Sequence, residues 1–259
     1  MEGIVAIPCD EFSPNSKSIV LGKENSMTHK IAWPIALMLL PLASLLSPAL
    51  PARSQKTDTA YASMAPLEEY MMPDRNAEIA LAKSAAPKAI SDDARVLVLD
   101  RKGYSTALEG KNGFVCVVQR SWTSPIDDPD FWSPKVRAPI CFNAAGARSF
   151  LPLIIAKTNL VLAGKSKDQM FEAIAAKLDA KELPSMEPGA MCYMMSKEGY
   201  LNSRAGHWHP HLMFFVPLTD GDTWGADLPG SPVIAFKDSP DRLTIFMVPV
   251  RKWSDGTAD

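Results

Sequence analysis

Three of the chain's four histidines fall in "GHWHPHLMFFVP", at His207, His209 and His211. If this stretch is extended, alternate side chains share a face, so the three imidazoles line up on one side. Neutral imidazoles at that spacing suit a transition metal, zinc or copper above all. Zinc usually takes four ligands, so a fourth must come from elsewhere. Asp220 is the candidate carried forward; Asp222, Glu187, Glu198 and Cys192 are also close in sequence. The alternative is structural: Met213 and Phe215 are in phase with the histidines. In that case the strand enters a core, and the imidazoles only hydrogen-bond to backbone or respond to pH. Pro210 can also break the extended geometry, because proline restricts its predecessor and donates no hydrogen bond.

Other chemistry is weakly marked. "MCYMM" holds the soft donors Met191, Cys192, Met194 and Met195, which suit copper but also fill cores. Asp127, Asp128 and Asp130 read as solvated loop acids, since their run lacks the glycine and final glutamate of a calcium loop. Ser196, Ser203 and Cys192 have no nucleophile motif around them, and no phosphate-binding or dinucleotide glycine loop is present. The tryptophans of "SWTSPIDDPDFW", "GHWHP" and "DTWG" either line a ligand face or pack loops onto the core.

These residues need a scaffold, and the periodicity describes one. "RVLVL" and "NGFVCVVQ" read as antiparallel strands near 95–100 and 114–120, with a short strand near 104–108 and a turn at Asn112-Gly113. A helix opens at Pro73 or Asp74 and stops before Pro87. Pro152 and Gly164 bracket another. Ser166 with Gln169 forms a capping box, and Met170, Ile174 and Leu178 repeat as one buried stripe. "HLMFFVP" reads as a strand, and residues 232–237 and 243–249 as a hairpin turning at "DSPD". The reading is an α+β single domain over 73–259, an antiparallel β-sheet packed against several helices, with a flexible arm at 55–72.

Residues 1–54 read as an N-terminal extension and signal peptide. Lys30 precedes an uncharged, mostly apolar run from Ile31 to Leu50, and Ala52 and Ser54 suit a cleavage site before Gln55. Such a run can also stay as a membrane anchor, although Pro34, Pro41 and Pro48 would disturb a spanning helix. Met27 is an alternative start. The expected location is periplasmic or secreted, with membrane contact only through an uncleaved segment. A net charge of -2 supplies no basic face, which argues against nucleic acid as a partner. A metal ion or small molecule remains. In an oxidising compartment Cys116 and Cys141 either pair, worth roughly 3 kcal/mol, or stay as buried thiols.

"HWHP" followed by Asp220 resembles the H-x-H-P…D pattern of JAMM-type zinc metallopeptidases. That resemblance implies zinc held by His207, His209 and Asp220, and a zinc-dependent hydrolase in which the metal lowers the pKa of bound water. It departs at Pro217, where that family has a serine, and its glutamate has no match. The paired histidines also resemble a cupin's, without the glutamate that follows them there. Over the chain, "GHWHPHLMFF", "NGFVC" and "VPVRKWSDGT" resemble a family of exported bacterial proteins without an assigned activity. That resemblance implies export and no site residues. N-terminal sequencing of exported protein is expected to begin at Gln55; a retained Lys30–Leu50 segment in a membrane fraction would indicate anchoring instead.

Overall fold

Short β-branched runs pair into one sheet, and capped helices cover it. The computed structural model describes residues 61–202 and 208–259; the extension and signal segment at 1–54 lie outside the described residues. Strand β1 (Arg95–Asp100) turns tightly into β2 (Gly103–Leu108). The Asp100 carboxylate accepts the Lys102 N–H at 2.7 Å, and Gly103 takes a φ of +117° that other residues rarely adopt. Strand β3 (Val115–Gln119) then lies on the far side of β1 and runs parallel to it. The expected antiparallel pairing of 95–100 with 114–120 is therefore corrected. Because β2 is a full strand, the chain reverses twice before β3 begins. The Asn112-Gly113 turn carries it beneath the start of β1, where the Lys111 N–H donates to the Asp93 carbonyl at 2.8 Å. Gly110 makes that passage possible, since a Cβ there would lie 2.1 Å from the Arg95 nitrogen.

The remaining strands are β4 (Ala138–Phe142), β5 (Met191–Met194), β6 (His211–Pro217), β7 (Ile234–Asp238) and β8 (Leu243–Pro249). The sheet order is β2-β1-β3-β4-β5-β6-β8-β7, antiparallel except at β1/β3. With five helices around this eight-stranded mixed sheet, the fold is an α+β single domain. The helices are α1 (Arg75–Lys83), α2 (Lys88–Ser91), α3 (Ala144–Ser149), α4 (Leu151–Leu162) and α5 (Lys167–Asp179). Asp74 caps α1, Asn143 caps α3, and the Ser166/Gln169 capping box opens α5. Gly164, at a φ of +72°, closes α4.

The sheet separates two apolar layers. One face sets Phe142, Cys192, Met194 and Phe215 against α3, α4 and Ile174 of α5. There Phe150 stacks on Phe215 with ring centroids 4.0 Å apart. The other face sets Val96, Val98, Cys116, Val118 and Cys141 against Leu81, Ala82, Ala85 and Ala86. Cys116 and Cys141 are directly opposed on β3 and β4 and are bridged, while Cys192 is a buried free thiol on the opposite face. Burial pushes the Cys192 thiol well above its ordinary pKa.

A third cluster fixes the segment read as a flexible arm. From Tyr61 on, that segment is described, and Leu67–Tyr70 forms a 3-10 turn. Tyr70 is fully buried beside Trp122, and its hydroxyl donates to the Trp132 carbonyl at 2.7 Å. The turn is held by Arg120, also fully buried. Arg120 donates to the Tyr70 carbonyl at 2.7 Å, to the Val118 carbonyl at 2.6 Å and to the Glu78 carboxylate at 2.9 Å. Glu78 in turn accepts the Leu99 N–H at 3.2 Å. Glu78→Ala leaves a guanidinium buried without its counter-charge and is expected to lower stability by about 3–5 kcal/mol in urea unfolding. A loss below about 1 kcal/mol would show that solvent reaches the pair.

Candidate functional site

The end of the sheet where β5 finishes and β6 begins carries His209 and His211, two of the residues singled out by the histidine spacing. His207 and Ser203 lie outside the described residues. His209 and His211 are close neighbours. The His209 Nδ1 meets the Asp259 carboxylate, and the His211 Nδ1 lies 2.8 Å from the His209 carbonyl. A carbonyl only accepts, so Nδ1 of His211 carries the proton and Nε2 carries the lone pair. His211 is buried, and burial is the main cause holding its imidazole below the usual range; His209 nearby adds to this, and the hydrogen bond to the His209 carbonyl opposes it. It therefore stays neutral near pH 7, the form that can bind a metal.

Aromatic packing holds this end together. Trp208 donates through Nε1 to the Gly199 carbonyl at 3.2 Å and meets Trp253 edge-on, with centroids 5.5 Å apart. A Cβ on Gly199 would lie 2.8 Å from the Trp208 ring, so that seat requires glycine. The chain beyond β8 folds back through the Lys252–Ala258 bridge, which brings Asp259 to His209. Asp259 was not among the residues the sequence pointed to, because no local spacing connects it with His209.

Asp220 is not brought to His209 or His211. It lies beyond the far end of β6, a strand of seven residues and therefore about 20 Å long, and binds Lys237 at 2.7 Å. That hydrogen bond is the main cause holding its carboxyl below the usual range. Glu187 is likewise paired elsewhere, with Arg148 at 2.6 Å. Among the described residues no three His, Cys, Asp or Glu side chains converge as a metal cluster. The Ser196 hydroxyl is tied to the Ser84 hydroxyl at 2.6 Å.

A second polar constellation has no signature in the sequence. Lys157 of α4 and Asp241 of the β7–β8 turn form a buried ion pair beside Ile126, Phe131 and Met170. Asp238 is also buried and accepts the Asp241 N–H at 3.1 Å. Desolvation, with the Asp241 charge next, raises the Asp238 carboxyl to about 6. Comparison with known proteins adds no relative: no family model, no curated protein and no solved structure matches the chain. Among the described residues no helix is long and apolar enough to cross a membrane.

A carboxyl whose folded-state pKa lies above its unfolded value of 3.8 destabilises the fold when ionised. That penalty is absent below the unfolded value, grows between 3.8 and about 6, and is complete above it. Asp238→Asn keeps the acceptor for the Asp241 N–H and is expected to gain about 1–3 kcal/mol at pH 7. The gain should shrink toward zero at pH 4. Equal gains at both pH values, by chemical unfolding, would contradict it.

Proposed function

We propose that this is an exported protein that binds a transition metal through His207, His209 and His211. The observation that supports this best is the anchoring of the two described imidazoles. His211 gives Nδ1 to a backbone carbonyl, and His209 meets a carboxylate through the same atom. Histidine ligands of metals are oriented by such contacts at one ring nitrogen while the other binds the ion. Under this reading Asp220, held by Lys237, is a surface carboxylate, and a completing ligand comes from the loops around the histidines.

A zinc-dependent hydrolase is a narrower version of the same reading. It would need, besides the ligands, a group to activate metal-bound water. The rival is a non-enzymatic ligand-binding or interaction domain. There, Trp208 and Trp253 supply the contact surface and the histidines are structural.

The test is metal analysis and titration of the purified chain beside a His207→Ala/His209→Ala/His211→Ala variant. One equivalent of zinc or copper is expected for the parent protein and none for the variant, with the variant folded by circular dichroism. A metal-free parent protein that takes up neither ion in titration sinks the proposal.

A further inference from the structure

The strand register assembles a group of soft donors that the sequence shows only in pieces. Residues directly opposed on adjacent strands share a face of the sheet. Met194 of β5 opposes His211 of β6. One step along that face, Cys192 opposes Met213, and Met213 opposes Met247 of β8. His211, Met194, Met213 and Cys192 thus mark the corners of a rectangle. Its sides are roughly 5 Å across the strands and 7 Å along them, within reach of flexible side chains. Cys192, Met194 and His211 are all buried. Met191, the remaining sulfur of β5, opposes Phe214 and faces the other way.

The His211 ring is fixed edge-on to Trp208, with centroids 6.1 Å apart, and through Nδ1 to the His209 carbonyl, which leaves Nε2 as its donor atom. Thiolate and imidazole bind copper(I) or zinc, and the two thioethers, soft donors, tilt the set toward copper(I). We infer that this face is a copper(I) site, with His211 Nε2 and the sulfurs of Met194, Met213 and Cys192 as its donors. Copper arrives already reduced, so no electron is exchanged. Cys192 binds as thiolate and its proton passes to solvent. One cation and one thiolate leave the buried site neutral, whereas a zinc ion on the same donors would leave an uncompensated charge. The inference goes beyond the imidazole reading and shares only His211 with it.

The experiment is an anaerobic titration of the purified full chain with copper(I) against the chelator bicinchoninate, with zinc titrations in parallel. Met194→Leu/Met213→Leu conserves volume and should stay folded. Its copper(I) affinity is expected to fall by more than about tenfold, the least that even outer-sphere losses cost, with zinc affinity unchanged. X-ray absorption of the copper-loaded parent protein should show sulfur scattering, and His207→Ala/His209→Ala should keep copper(I) while losing zinc. Equal copper(I) affinity in the methionine variant, or no sulfur around the copper, overturns the inference whatever zinc does. A parent protein that binds copper(I) through sulfur and takes up neither zinc nor copper(II) supports the inference and counts against the three-histidine site.

Discussion

The buried charge of Arg120 constrains most of the N-terminal half of the fold. A guanidinium removed from water is tolerable only if its donors are satisfied and its charge is matched. Here the acceptors are the Tyr70 and Val118 carbonyls and the Glu78 carboxylate, and Glu78 also takes the Leu99 N–H. One side chain thereby ties the first turn, α1, β1 and β3 into a single arrangement. The surroundings report the same electrostatics. Arg137, itself partly buried and near Arg120, is drawn down to about 10, with desolvation the larger cause. The network frames the sheet that carries His209 and His211.

Elements whose evidence is local were legible in the sequence. The capping box at Ser166, the stop at Gly164, the strand "HLMFFVP" and the last hairpin all rest on short-range patterns, and the structure has each of them. The parallel β1/β3 pair was not legible, because strand direction depends on how many reversals intervene. Arg120 and Glu78 were not legible either: isolated charges read as surface until a partner distant in sequence is known. The same holds for Lys157 with Asp241, and for His209 with Asp259. Asp220 is the converse case. Closeness in sequence made it a candidate ligand, and an intervening strand carries it to the other end of the sheet.

The polar chemistry is therefore divided between the two ends of β6. At one end lie the imidazoles and the aromatic pair Trp208 and Trp253. At the other lie Asp220, Asp238 and Asp241 with their lysines. Between them runs a face of sulfur and aromatic side chains with little capacity to carry charge.

The placement of Cys116, Cys141 and Cys192 on the sheet bears on how the chain matures. Among the described residues three cysteines allow three pairings, and a chain oxidised before it folds can sample all of them. Once β3, β4 and β5 have paired, the sheet itself stands between Cys192 and the bridge. The third thiol then cannot attack either sulfur without unzipping a strand. Collapse of the sheet thus acts as a proofreading step, and in an oxidising compartment the folded chain should hold one disulfide isomer without help from an isomerase.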